Sequence, residues 1–225
     1  MGDLLELRHC RLTYPSGDRR GAERLALAID QLSIRTGDRI ALLGRSGAGK
    51  STLLHHLRRQ LAHTSSWCPQ QASLVPQLKA FHNIYAGALQ RHSALTNLKN
   101  LLLPSPRFRA EIAALAEPLG IAELLWNKAD ALSGGQQQRV AVARALYQRK
   151  PVLLADEPVA ALDPQQGEQV LALLLERHDT AVVALHDAGL AQRLCNRIIG
   201  LRDGALLFDC AAEKVDDAAL AQLYR

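Results

Sequence analysis

The chain has 225 residues, of which 48% are hydrophobic and 22% are charged, and this balance predicts an ordinary globular domain with a substantial core. It contains no apolar run long enough to cross a bilayer, and its N-terminus lacks the pattern of a signal peptide, so we expect a cytoplasmic protein. The net charge of +5 comes from scattered residues and short pairs, which favours a solvated surface facing anionic lipid headgroups over nucleic-acid binding.

The first 35 residues predict an antiparallel β region. Residues 4–14 alternate loosely, as in a half-buried strand, and Leu25–Ile34 indicates a second strand or strand pair after a turn. Tyr14 ends the first strand. Its spacing alone favours a packing or turn role, and stacking on adenine is the alternative if the ring faces a nucleotide.

The stretch Gly44–Ser51 fits the P-loop pattern of two glycines with four residues between them, followed by Lys and Ser. An apolar strand at 39–43 precedes it and a helix pattern follows from residue 52, which is the context that this motif requires. The loop amides and the helix N-terminus favour a bound triphosphate, Lys50 can reach the terminal phosphates, and the Ser51 hydroxyl can ligate Mg²⁺. The residues predicted to bind the triphosphate here are Gly44, Arg45, Ser46, Gly47, Ala48, Gly49, Lys50, Ser51 and Thr52.

The sequence pattern changes over residues 77–130, where apolar residues recur at helical spacing. This periodicity predicts helices over Leu78–Leu89, Phe108–Leu119 and, more weakly, Ile121–Trp126. We interpret this segment as a helical subdomain inserted into an α/β core. Just before it, Gln70 follows a short strand. An amide there can ligate Mg²⁺ or position water, although its sequence alone favours a surface glutamine.

A second possible anion site begins at Ser133. Ser133 is suited to cap a helix that opens with Gly134 and Gly135, and a helix N-terminus attracts anions. The P-loop already surrounds one set of phosphates. This helix start therefore indicates either an anion site away from the P-loop or a site that serves a second copy of the chain. A plain capped helix is the alternative.

Three polar residues follow buried strands. Asp156 and Glu157 end the apolar strand from Val152, and side chains alternate along a strand, so one can hold the Mg²⁺ shell while the other faces attacking water. His186 comes just after the strand Ala181–Leu185. Because open α/β sheets bind ligands at their strand ends, His186 is a candidate for contacting the γ-phosphate.

These motifs together resemble those of ABC-type ATPases, and the resemblance covers nearly the whole chain. They are the P-loop, Leu-Ser-Gly-Gly-Gln at 132–136, Asp156-Glu157, Leu162-Asp163 and His186. The resemblance implies one ABC ATPase domain over 1–225 with an α/β fold. That fold is a P-loop NTPase core of mostly parallel sheet, with a small N-terminal antiparallel β region and a helical subdomain inserted at about 77–131.

The resemblance also implies roles within one chain, with ATP and Mg²⁺ as cofactors. Ser51, Gln70 and Asp156 would complete the Mg²⁺ shell. Glu157 would polarise the attacking water, with Lys50 and His186 as the other catalytic groups. Tyr14 would be the adenine platform.

Other implied roles need a second copy. Two chains would dimerise head to tail and trap two ATP molecules between them. Ser133, Gly134, Gly135 and Gln136 would then bind the ATP held by the other chain's P-loop. Asp163 would lie at the dimer interface.

The function implied is ATP hydrolysis for a membrane transporter, at the cytoplasmic face of the membrane. Its partners would be integral permease subunits and, indirectly, an extracytoplasmic solute-binding protein, with no nucleic acid. Several segments, among them 155–164, are similar to ATPases of phosphonate importers and equally to relatives that carry another oxyanion or organic solute. The alternative function is a non-transport ABC ATPase that regulates a soluble enzyme complex.

Two features depart from the family pattern. Only nineteen residues separate Lys50 from Gln70, where the family usually has a longer stretch that includes a β-hairpin. Arg45 stands where Pro is usual, and Ala160 replaces a frequent Ser. The short span between Lys50 and Gln70 predicts a smaller β region and a nucleotide site that is more open on its adenine side.

Overall fold

A computed structural model describes residues 2–15 and 23–225, without the side chains of residues 14, 15, 23 and 24. The chain divides into two compact units. The first comprises Met1–Ser65, Val152–Glu157 and His178–Arg225, and the second comprises Ser66–Pro151 and Pro158–Arg177. The second unit therefore contains the whole of 77–131 together with the helix that follows Ser133.

The strands are β1 (Asp3–Pro15), β2 (Glu23–Arg35), β3 (Arg39–Leu43), β4 (Ser65–Cys68), β5 (Val152–Asp156), β6 (Thr180–Ala184), β7 (Arg197–Arg202) and β8 (Ala205–Ala211). The helices are α1 (Lys50–Gln60), α2 (Ala80–Tyr85), α3 (Ala94–Leu102), α4 (Pro106–Ala116), α5 (Gly134–Tyr147), α6 (Pro164–Glu176), α7 (Ala188–Leu194) and α8 (Asp217–Tyr224). Within the described ranges, no helix combines the length and the apolar character that a bilayer crossing would need.

The first unit is built on a sheet in which β1, β2, β8, β7, β3, β6 and β5 lie side by side in that order. β3 pairs in parallel with β6 and β7, and β5 pairs in parallel with β6. The residues of β5 and β6 are all buried, which explains why these strands are continuous apolar runs. β1 and β2 form the antiparallel region that the sequence predicts, and the predicted mixed α/β fold class is confirmed.

Parallel pairing brings three strand ends to one edge of the sheet. Gly44 follows the end of β3, Asp156 ends β5, and His186 lies two residues beyond β6. Their register is direct, since Leu42 and Asp156 both pair with Ala184. The fold of this unit therefore places the P-loop, both acidic residues and the histidine at the same edge.

The second unit is helical and packs around an aromatic cluster. Phe81 of α2 stacks on Trp126 with ring centroids 5.0 Å apart, and Tyr85 contacts Phe108 of α4 and Tyr147 of α5. The hydroxyl of Tyr147 donates to Glu111 at 3.0 Å. These contacts tie α2, α4 and α5 into one core.

The helix predicted over Leu78–Leu89 differs from the structure. α2 ends at Tyr85, and a 3-10 turn over Ala86–Arg91 follows it. At this break Gly87 lies against α5, where an added Cβ would be 2.4 Å from the carbonyl oxygen of Arg144. α3 lies within the predicted helical subdomain but was not among its predicted helices. Its leucines Leu95, Leu98 and Leu102 recur at helical spacing, yet they are exposed and do not face the core.

The short span after the P-loop has a simple structure. α1 ends at Gln60 and β4 begins at Ser65, so residues 61–64 alone connect them. Thr64 and Ser65 donate their N–H groups to the carbonyl of Leu61, which closes this turn tightly.

Candidate functional site

The P-loop wraps the start of α1. Gly44 has a φ of +146°, and a Cβ at this position would lie 2.2 Å from the carbonyl oxygen of Leu201, so only glycine fits. Gly49 precedes the helix in a left-handed conformation, and no side chain caps this end. The first-turn N–H groups of a helix have no acceptor within it, so this end is suited to bind phosphate oxygens.

Lys50 is buried and holds the loop closed. Its Nζ donates to the carbonyl oxygens of Gly44 at 2.7 Å and Arg45 at 3.2 Å. Burial lowers the pKa of Lys50, and the charges of Glu157 and Asp156 partly oppose that shift. The ammonium group is therefore placed in the electrostatic field of both acidic residues.

Asp156 has a feature that fits a bound cation. Its side chain is buried, with 4% of the residue exposed, and Oδ1 has no hydrogen-bond partner in the described structure. An unpartnered carboxylate oxygen in a buried site is costly, and a metal ion would remove that cost. Carboxylate and hydroxyl oxygens suit Mg²⁺, so Asp156 and Ser51 fit the predicted metal.

Glu157 is held in an unusual backbone conformation. Its φ is +49°, and its N–H donates to the carbonyl of Ala184 at 3.2 Å. Left-handed conformations cost a non-glycine residue free energy and cluster at functional sites. The carboxylate Oε1 lies 2.5 Å from Nε2 of His186.

This contact was not among the predicted roles. The sequence predicts that His186 contacts a γ-phosphate, and the structure shows it against the Glu157 carboxylate, with its ring half exposed. Asp187 caps α7 directly after it, accepting the N–H of Leu190 at 2.9 Å. The cap steadies the backbone that carries His186, and the phosphate contact stays a prediction.

The second unit carries the remaining predicted residues. Ser133 and Gln136 form a capping box at the start of α5: the Ser133 hydroxyl accepts the Gln136 N–H at 3.3 Å, and Gln136 Oε1 accepts the Ser133 N–H at 2.9 Å. Gly134 is exposed, and no atom lies within 4 Å of a Cβ built there. The helix start is thus open to an incoming group. Asp163 is exposed and caps α6 by accepting the Gln166 N–H at 2.9 Å.

Arg144 and Gln138 are structural residues that the sequence analysis missed. Arg144 donates to the carbonyl oxygens of Ala72 at 2.6 Å and Ser73 at 2.9 Å, and so anchors the segment after the exposed Gln70. Gln138 is buried and donates to the carbonyl of Pro158 at 2.8 Å. The signal that could have identified both residues in the sequence is a polar side chain on the apolar face of α5. The side chain of Tyr14 lies outside the described residues, so its adenine contact stays a prediction.

Comparison with known proteins gives consistent matches. A family model described as "ABC transporter" matches residues 27–160. The chain is 40% identical to the phosphonates import ATP-binding protein PhnC of Frankia casuarinae, covering 88% of this chain and 90% of that protein. It is 35% identical to the phosphite import ATP-binding protein PxtA of Stutzerimonas stutzeri, covering 98% and 87%.

A solved structure matches the fold. It is the dimeric post-hydrolysis state of the ATP-binding cassette MJ0796 bound to ADP and Pi, with a TM-score of 0.73 and 29% identity. The match covers 92% of this chain and 98% of that one.

Proposed function

This chain belongs to the ABC transporter family and is an ATPase, and we propose that it powers an importer of phosphonate or a related oxyanion. The solute class rests on the names of relatives at 35–40% identity, which import phosphonates and phosphite. In such a transporter the permease and a solute-binding protein outside the membrane would select the solute. The observation that carries the ATPase part is the grouping of Lys50, Asp156 and Glu157 at one sheet edge.

The chain's own residues support hydrolysis in distinct ways. The P-loop amides and Lys50 would bind and orient the β- and γ-phosphates and stabilise charge on them. Glu157 would accept a proton from the attacking water at its carboxylate, and His186 lies in position to orient that carboxylate through the 2.5 Å contact. Mg²⁺ held by Ser51 and Asp156 would neutralise charge on the phosphate oxygens.

A dimer would complete the site. The open start of α5 at Gly134 and the exposed cap Asp163 are suited to meet another copy's P-loop and its bound ATP. The dimeric MJ0796 cassette supports this arrangement by similarity. We therefore propose that Ser133, Gly134, Gly135 and Gln136 act in trans, and that Gln70 contributes to the Mg²⁺ shell.

The partner in the membrane would be a permease, and α3 supports a surface for it. Leu95, Leu98 and Leu102 recur at helical spacing and are 63%, 56% and 77% exposed. Exposed apolar surface on this scale marks interaction sites in soluble domains. We propose that the permease covers this leucine face, which would hold the ATPase at the cytoplasmic side of the membrane.

The hydrolysis role is tested by Glu157→Gln. This change preserves size and removes the proton acceptor, so turnover should fall by roughly 10²–10⁴-fold while ATP binding remains. ATP-induced dimerisation, followed by light scattering, should persist or increase. Near-normal turnover in the variant would refute the assignment of Glu157.

The transport role is tested with membranes. Affinity purification of the wild-type chain from solubilised membranes should recover integral membrane subunits, and the pair Leu98→Gln, Leu102→Gln should reduce that recovery. Leu207→Gln is the matched control, because Leu207 is also exposed but lies in the first unit. Recovery of a soluble enzyme complex in place of a permease would favour the regulatory alternative.

A further inference from the structure

A cavity of about 420 Å³ lies beside the P-loop in the first unit. Its lining consists of the P-loop residues Arg45, Ser46, Gly47 and Ala48, the turn residues Arg202 and Asp203, and the C-terminal residues Leu223 and Arg225. In the described structure its lining does not include Lys50, Ser51, Asp156, Glu157 or His186. It is therefore distinct from the catalytic edge, although it shares one wall with the P-loop.

The fold brings the arginines of this cavity together. Arg45 donates to the carbonyl oxygen of Arg225 at 3.0 Å, and Arg202 donates to that of Gln222 at 2.8 Å. Leu223 is completely buried, so it anchors the end of α8 between these two contacts. The C-terminal segment, the turn between β7 and β8, and the P-loop are thus tied at this point.

The electrostatics of the cavity favour an anion. Three of the lining residues have guanidinium side chains and one, Asp203, has a carboxylate side chain, which is 87% exposed, where water screens its charge. The contacts in the described structure occupy one N–H donor of Arg45 and two of Arg202. A guanidinium group has five donors in a planar fork that matches phosphate geometry, so most of them remain available.

We propose that this cavity is a second anion site, separate from the ATP phosphates, for a small phosphate- or phosphonate-bearing molecule. Its volume lies within the range of small-molecule pockets, roughly 300–1,000 Å³. Arg45 is both a P-loop residue and a lining residue of the cavity, so it places a cation at the wall that the two sites share. The site depends on neither hydrolysis nor transport, and it would exist in a chain with a different function.

The shared wall predicts coupling to ATP. An anion held by Arg45 and Arg202 places negative charge beside Ser46 and Gly47, next to the loop that receives the triphosphate. Like charges disfavour each other, so occupancy of the cavity should weaken ATP binding, by a factor on the order of 5. Coupling is reciprocal, so bound ATP should weaken binding of the second anion by the same factor.

The test separates this site from simple competition at the P-loop. The binding of a fluorescent ATP analogue to the whole chain would be titrated at increasing methylphosphonate and, in a second arm, inorganic phosphate. An anion in the cavity should raise the apparent Kd of the analogue to a plateau, whereas competition at the P-loop raises it without limit. The two arms distinguish phosphonate from phosphate as the preferred ligand.

Variants of the lining arginines test where the anion binds. Arg202→Ala and the double change Arg202→Ala, Arg225→Ala should abolish the anion-induced rise in the apparent Kd, and Arg202→Lys should keep part of it. Arg11→Ala removes an exposed arginine of β1 and should leave the effect unchanged. Circular dichroism confirms folding, and Arg225→Ala alone tests the site if Arg202 variants unfold.

Two results would overturn the proposal. One is a Kd that rises without a plateau and equally in wild type and variants, which would assign the anion to the P-loop. The other is the absence of any shift together with no heat of methylphosphonate or phosphate binding in calorimetry. Neither result bears on Glu157, whose test measures turnover.

Discussion

Replacing Gly44 with alanine should disrupt the P-loop far more than the same change at Gly47. Both glycines have a positive φ, +146° and +83°. A Cβ at Gly44 would lie 2.2 Å from the carbonyl oxygen of Leu201, whereas a Cβ at Gly47 would meet nothing within 4 Å. Both variants therefore place a side chain at a positive φ, and only Gly44→Ala adds a steric clash with the backbone.

The conformational cost and the clash together set the expected difference in the free energy of unfolding between the two variants. A non-glycine residue held at positive φ costs about 1–3 kcal/mol, and both variants bear a cost of this kind. The clash at Gly44 involves a backbone oxygen that cannot rotate away, and forced overpacking adds about 1–3 kcal/mol. The Gly44 variant should thus be less stable than the Gly47 variant by about 2 kcal/mol, or roughly 4–8 °C in Tm for a chain of this size.

Urea denaturation and thermal unfolding of both variants measure this difference. The Gly44→Ala variant should also bind ATP more weakly, because the displaced carbonyl of residue 44 is the 2.7 Å acceptor of Lys50. Equal stabilities of the two variants together with equal ATP affinities would refute the clash. Equal stabilities with a selective loss of ATP binding in Gly44→Ala would show that the loop relaxes locally.

Two further predictions concern stability. Burial raises the pKa of the Cys195 thiol from 9.0 to about 12, so its contribution to stability is complete below about pH 9 and is lost as pH rises towards 12. The urea midpoint should fall over that interval, and less so in Cys195→Ala at matched pH. Arg197 bonds Asp209 at 2.6 Å and Asp38 at 2.8 Å in a partly buried site. Arg197→Ala should cost about 2–3 kcal/mol in urea unfolding, somewhat less than a fully buried pair, and Arg197→Lys should not restore it because a lysine cannot bond both carboxylates in the same plane. Full stability of the lysine variant would contradict that geometry.

The P-loop was predictable because its determinants are local. The glycines, Lys50 and Ser51 act through backbone conformation and through the helix that begins directly after them, and both leave a pattern in adjacent residues. The buried strands β5 and β6 were predictable for the same reason, since continuous apolar runs indicate strands covered on both faces.

The contacts of Glu157, Arg144 and α3 were not predictable in this way. Glu157 meets His186 only because β5 and β6 are neighbours in the sheet, a pairing that joins residues about thirty positions apart. Arg144 anchors Ala72 and Ser73, which are 72 and 71 positions earlier in the sequence. The leucines of α3 are exposed, so the rule that apolar residues face the core gives the wrong expectation for them.

The amino-acid sequence by itself determined which chemical groups this protein has for a nucleoside triphosphate and which elements carry them. That information lies in short-range backbone preferences and in hydrophobic period, which act over a few residues. Only the tertiary structure decided that Asp156 is left with an unpartnered oxygen, that His186 contacts Glu157, and that Arg45, Arg202 and Arg225 line one cavity. These features depend on strand order and on the docking of α8, which arise from the packing of the whole unit.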